Sequence, residues 1–150
     1  MSDFLVTVEY KPLSVTLNGE KLYRRYIDCS RMLFVGKDYV VKLEDEDDYY
    51  FSQCRREFDM WRNLIEQKDR RYFVEILQYG RLKKYDYIVQ RKFPYLRFVP
   101  SPDSIWKYKE SWDSVICKMK EKYDLNDLSE DTPSNWTLYR GSPLIIDYGV

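Results

Sequence analysis

Histidine is absent from this chain of 150 residues. Its absence removes Ser–His and Cys–His nucleophilic catalysis, together with the commonest transition-metal side chain. Cysteine is scarce. Cys29, Cys54 and Cys117 lie far apart, no Cys-x-x-Cys pair is there to hold zinc, and free thiols in a cytoplasmic protein are the simplest reading. The opening Met1-Ser2-Asp3-Phe4 reads as lacking a basic-then-apolar leader, and no apolar run approaches a membrane span. Net charge is lacking too. Lys plus Arg and Asp plus Glu number 25 each, so the balance draws the chain neither to nucleic acid nor to an anionic membrane. Short basic clusters such as Arg24-Arg25, Arg55-Arg56 and Arg70-Arg71 are scattered, opposed in sign by the run Glu44 to Asp48, and read as solvated faces. What chemistry remains must run on carboxylates, lysine, asparagine or a bound ion.

What is present in quantity is apolar and aromatic: 44% hydrophobic residues support one core, and there are 15 Tyr, four Trp and seven Phe. With no basic stripe beside them, these rings suit packing and a protein interface, including self-association, better than base stacking. The first third reads as strands: Leu5 to Tyr10, a turn at Asn18-Gly19, then Met32 to Val35 and Tyr39 to Leu43 about Gly36-Lys37-Asp38. In Tyr39-Val40-Val41-Lys42-Leu43 both valines are apolar, so the strand is expected to be covered on both faces and Lys42 to point into covered space.

From Asp47 to about Lys68 the spacing turns helical, with Phe51, Cys54, Phe58, Trp61, Leu64 and Ile65 on one stripe. Glu57 falls on that inward stripe. A carboxylate there requires a cation, because burying it alone is costly, and Lys42 is the nearest candidate in sequence. Two further strands, Val74 to Leu82 and Tyr85 to Phe93, lead to an irregular proline-rich crossing. A second helix then starts at Ser101-Pro102-Asp103, with Ile105, Tyr108, Trp112, Val115, Ile116 and Met119 facing inward. After the polar loop from Asp124 to Pro133, Asn135 to Tyr139 and Pro143 to Gly149 form a terminal hairpin. If the turn is centred on Gly141, Asn135 and Asp147 lie opposite each other and an amide and a carboxylate share one spot. Oxygen donors of that kind suit magnesium completed by substrate phosphates.

Asp147-Tyr148-Gly149 resembles the Asp-Phe-Gly metal motif of the protein-kinase-like superfamily, especially its aminoglycoside-kinase-like and phage-encoded branches, and Asn135 resembles the catalytic-loop asparagine. The likeness runs backwards in the family order. Val40-Val41-Lys42 is similar to the strand whose lysine holds the nucleotide phosphates, Glu57 to the helix glutamate paired with it, and Cys29-Ser30-Arg31-Met32 to the phosphate-covering turn. Tyr87 to Pro94 is similar to the hinge strand and hinge, which places Gln90 and Lys92 among the cofactor-binding residues. The family's glycine-rich loop is missing. The catalytic aspartate, expected five residues before the asparagine, is replaced there by Glu130, while Asp127 matches the local motif if residues 130–132 are an insertion.

The resemblance implies an α+β fold: an antiparallel sheet of about five strands crossed by the 47–68 helix (residues 1–94), then a reduced, mainly helical part ending in the hairpin (95–150). It implies a pseudokinase-like module, truncated after Asp-Tyr-Gly and virus-encoded, that binds a host protein or itself in the cytoplasm. ATP and Mg are the implied cofactors, with Lys42 and Glu57 on the phosphates and Asn135 and Asp147 on the metal. The alternative is an active small phosphotransferase with Asp127 or Glu130 as base. Both readings require the side chains of residues 42, 57, 135 and 147 to converge on one shared cleft.

Overall fold

The computed structural model describes residues 3–10, 13–25, 31–93, 109–126, 128 and 135–149. It divides into two compact units, residues 1–58 with 75–92 and residues 59–74 with 93–150.

The first unit is built on one antiparallel sheet of seven strands: β1 (Val6–Tyr10), β2 (Leu13–Leu17), β3 (Glu20–Arg25), β4 (Met32–Val35), β5 (Tyr39–Asp45), β6 (Ile76–Leu82) and β7 (Tyr85–Arg91), ordered β1-β2-β3-β4-β5-β7-β6. The sequence reading of about five strands undercounts it. It found the Asn18-Gly19 turn but not the hairpin around it, because β3 buries only Leu22 and shows no alternation to read. At that turn both residues have positive φ, 50° and 82°, the condition for a two-residue hairpin connection. The two-residue side-chain period then sorts β5. Val41 and Leu43 join Phe34, Tyr87 and Val89 in an apolar core that Val6, Val15, Leu17 and Leu22 complete from β1 to β3. Val40, Lys42 and Glu44 take the other face, and all five residues from Val40 to Glu44 are buried, as the double valine predicts.

The expected 47–68 helix is shorter. A 3-10 turn (Glu46–Asp48) precedes α1 (Gln53–Asp59), which continues as a π-helical turn (Met60–Leu64) and stops at Ile65, where ψ is 120°. The stripe is right at Cys54 and Ile65 and wrong at two positions: Phe51 is 54% and Leu64 61% exposed. The widened turn is closed by the Ile65 amide on the Met60 carbonyl at 3.0 Å, with Met60 buried and Leu64 turned to solvent.

In the second unit, a π-helical turn (Trp112–Ile116) runs into α2 (Cys117–Tyr123), and β8 (Trp136–Tyr139) pairs with β9 (Ser142–Ile145). Trp112, Ile116 and Met119 face inward as read from the sequence; Ile105 and Tyr108 lie outside the described residues. α2 ends at Asp124 in the left-handed conformation, φ 54°. Trp112 lies 6.1 Å from Trp136, and Phe73 meets Tyr123 and Tyr148 edge-on at 5.6 and 5.1 Å. No helix among the described residues is long and apolar enough to cross a membrane.

Candidate functional site

Glu44 fixes where α1 begins. Its Oε1 accepts from Ser52 Oγ at 2.6 Å and from the Cys54 amide at 2.8 Å, and its Oε2 accepts from the Gln53 amide at 3.2 Å. A carboxylate on the strand therefore occupies the amides that the first helical turn leaves without intrahelical partners, where the helix dipole also favours negative charge. With the helix start held against β5, the inward stripe carries Cys54 and, three residues on, Glu57 toward the face that bears Lys42. Lys42 Nζ lies 3.2 Å from Glu57 Oε1, with Lys42 4% and Glu57 0% exposed. The ion pair inferred from the helical stripe is thus formed.

Glu57 has a second cation that sequence reasoning did not assign to it. Arg31 Nη2 lies 2.7 Å from Glu57 Oε2, and Arg31 Nη1 donates to Cys54 Sγ at 3.7 Å. Arg31 stands immediately before β4 and is 5% exposed. Its sequence signal was only that of a basic residue entering a strand, grouped with the turn before it; the partner is 26 positions away. Burial pushes the Cys54 thiol far above its ordinary value, partly offset by Arg31, so Cys54 is a packing residue and not a nucleophile.

Gln90 on β7 is 3% exposed, opposite Val40 in the register. Lys92 is exposed, and its amide donates to the Asp38 carbonyl at 2.9 Å.

In the second unit the hairpin register differs from the symmetric one expected about Gly141. Trp136 pairs with Ile145 and Tyr139 with Ser142, which sets Asn135 opposite Ile146 and leaves Asp147 one residue beyond. The cause is the turn. Arg140 and Gly141 both have positive φ, 50° and 77°, so two residues form the loop and its centre falls between them. Asn135 and Asp147 remain adjacent all the same, because the Asn135 carbonyl accepts from the amides of both Ile146 (2.9 Å) and Asp147 (3.2 Å). The motif is held from below. The Tyr148 hydroxyl donates to the Val74 carbonyl at 2.7 Å, its ring packs on Phe73, and the Val74 amide donates to the Ile145 carbonyl at 2.8 Å. Both Asn135 and Asp147 are half-buried.

An amide and a carboxylate are hard oxygen donors, and two of them suit magnesium, which keeps waters and takes further ligands from phosphates. Among the described residues no cluster of three or more His, Cys, Asp or Glu is placed to cage a metal by itself. Asp127 and Glu130, the candidate bases, lie outside the described residues.

A separate network braces the second unit. Asp69 accepts from Lys122 Nζ at 2.8 Å and from the Tyr123 hydroxyl, Lys122 Nζ also lies 3.0 Å from Glu66, and the Glu66 amide donates to the Tyr123 oxygen at 3.0 Å. Lys122 first, and then Tyr123, hold the Asp69 carboxyl below its ordinary range.

No family model matches the chain, and no curated protein sequence does. Solved structures do. Monomeric WbdD aligns with a TM-score of 0.59 at 16% identity, over 98% of this chain and 43% of that one. The bifunctional kinase-methyltransferase WbdD gives 0.54 at 18% identity, over 80% of this chain and 29% of that one. The Legionella pneumophila Lpg2603 kinase bound to IP6 gives 0.52 at 14% identity, over 97% and 60%. These likenesses show a kinase-like α+β fold, and the chain spans less than two thirds of each of these proteins.

Proposed function

We propose that the chain is an ATP–magnesium-binding module of the protein-kinase-like superfamily. Lys42 contacts the nucleotide phosphates, Glu57 orients Lys42, and Asn135 with Asp147 holds the metal. The observation that carries this reading is the buried Lys42–Glu57 contact of 3.2 Å, made from a strand and the following helix in the family's order. A kinase-like fold around it supports the same reading. Magnesium, when bound, would neutralise phosphate charge. What this chain's residues do is narrower: Glu57 keeps the Lys42 ammonium in place, and the Asn135 carbonyl, by holding the Asp147 amide, keeps the Asp147 backbone beside that of Asn135. The missing glycine-rich loop accords with the aminoglycoside-kinase-like branch, which tolerates that loss.

The module acts by binding a protein partner. Exposed Tyr23, Tyr50, Phe51 and Leu64, at 71, 107, 54 and 61% exposure, support this half of the proposal, since aromatic rings are enriched at protein interfaces. Phosphoryl transfer by Asp127 or Glu130 is the competing reading. A thermal-shift titration tests the binding claim. A ligand that binds only the folded state stabilises it by about 2.7 kcal/mol at a hundredfold excess over Kd. ATP with magnesium should raise the melting temperature of the wild type and not of Asp147→Asn; no rise at millimolar ATP overturns the proposal. Incorporation of γ-phosphate into protein or an added acceptor would decide for the enzyme.

A further inference from the structure

Strand alternation puts Lys21, Tyr23 and Arg25 of β3 on one face, with Leu22 buried on the other. All three side chains lie in solvent, Tyr23 at 71% exposure, and their cross-strand neighbours carry no charge: Lys21 faces Thr16, Tyr23 faces Val35 and Arg25 faces Leu33. Two cations thus flank an exposed ring with no carboxylate directly opposite. The segment after β5 is the converse. Glu46, Asp47 and Asp48 are exposed, and Tyr50 and Phe51 behind them stand at 107 and 54% exposure. Arg81 pairs with both Glu46 and Asp86, and Lys84 lies 2.8 Å from Asp45 and 3.5 Å from Asp47, so two cations serve four carboxylates there and Asp48 adds a fifth. Through Val35, Tyr23 is level with Val40, and the further residues to Asp45 carry β5 roughly 17 Å along the sheet. The basic strip and the acidic turn of one copy are therefore too far apart to meet.

We propose that the strip Lys21, Tyr23 and Arg25 is a docking surface for the acidic, aromatic-tipped turn, residues 46–51, of a second copy of this chain. This rests on the protein-binding half of the function proposed above and deepens it by naming the partner and the surface. Opposite charges on the two patches steer the encounter and fix its register, and the exposed rings on both sides supply apolar area to bury. Nothing opposes the approach at long range, because 25 basic and 25 acidic residues leave the copies without net repulsion. A twofold arrangement lets the contact form twice, the strip of each copy on the turn of the other.

Sedimentation equilibrium of the full chain, from about 10 to about 500 µM, tests this with the wild type, a strip variant (Lys21→Glu with Arg25→Glu) and a turn variant (Asp47→Lys with Asp48→Lys). The wild type should self-associate, with a Kd that rises about tenfold between roughly 0.05 and 0.5 M salt, since exposed charges are screened. Each variant alone sets like charges against each other and should stay monomeric. Mixed in equal amounts, the two variants should form a heterodimer: the intact strip of one meets the intact turn of the other, and the two reversed patches are again complementary. A folding defect cannot produce that recovery. Should a reversed variant fail to fold, the neutral pairs Lys21→Gln with Arg25→Gln and Asp47→Asn with Asp48→Asn take its place, and each should raise Kd at least about fivefold. Variants that associate as the wild type does, or folded variants that stay apart on mixing, overturn the proposal. A wild type that is monomeric throughout also overturns it, removing the second copy as partner while leaving the binding of a different protein and of nucleotide to their own tests.

Discussion

Replacing Lys42 by methionine should leave the protein folded and only modestly less stable, because Glu57 does not depend on Lys42 alone. Removing the partner of a buried carboxylate ordinarily costs about 3–5 kcal/mol, most of it the penalty of a stranded charge. Here Glu57 keeps Arg31 at 2.7 Å, a shorter contact than the 3.2 Å from Lys42. Each single variant, Lys42→Met or Arg31→Met, still leaves one cation on the carboxylate and should cost about 1–2 kcal/mol. The double variant strands Glu57, so the second removal should cost about 3–5 kcal/mol where it costs about 1–2 alone, an excess of roughly 2–3 kcal/mol over the sum of the singles. For a domain of this size that excess corresponds to roughly 4–12 °C in melting temperature. Urea and thermal unfolding followed by circular dichroism give all four corners of the cycle. Additive losses, or a loss of about 4 kcal/mol in Lys42→Met by itself, would refute the sharing of Glu57. A tolerated Lys42→Met that no longer responds to nucleotide would place the value of Lys42 in the ligand and not in the fold.

Glu44→Ala removes the acceptor for Ser52, Gln53 and Cys54 at the start of α1 and should destabilise by about 1–2 kcal/mol in urea unfolding, the usual size of a lost helix cap. Gly80→Ala should also destabilise, by about 1–3 kcal/mol, since the added Cβ would stand 2.4 Å from the Tyr87 hydroxyl, which Gln78 Nε2 holds at 2.9 Å. Asp69 gives a pH signature. Its folded carboxyl titrates below the ordinary value of 3.8, so its stabilisation is present above that pH and disappears as pH falls through the lower, folded value. Asp69→Asn should therefore narrow the gap between stability at neutral pH and at about pH 3, measured by melting temperature across the range; an unchanged gap would show that the Lys122 and Tyr123 contacts do not act through Asp69.

The Lys42–Glu57 pair was legible in the sequence because two periodicities met there. A doubly covered strand leaves an inward lysine, and a helical stripe leaves an inward glutamate, so each charge implied the other. Arg31 was illegible for the converse reason: it belongs to neither period, and its contact with Glu57 depends on how the chain enters β4. The hairpin at residues 136–145 was found, but its register was off by one position because Arg140, unlike Asn18 in the first hairpin, is not a residue type that announces positive φ. Strand β3 went unread as a strand because five of its six residues face solvent. The helical span was overestimated because hydrophobicity continued past Asp59 while the backbone widened into a π turn, which turned Leu64 outward.

Equilibrium titration calorimetry of a non-hydrolysable ATP analogue with magnesium against the wild type, Lys42→Met and Asp147→Asn tests whether Lys42 and Asp147 each serve nucleotide binding. The account predicts a single site in the wild type, weakened at least about tenfold in each variant, a loss of about 1.4 kcal/mol or more. Binding to either variant with wild-type affinity would contradict it.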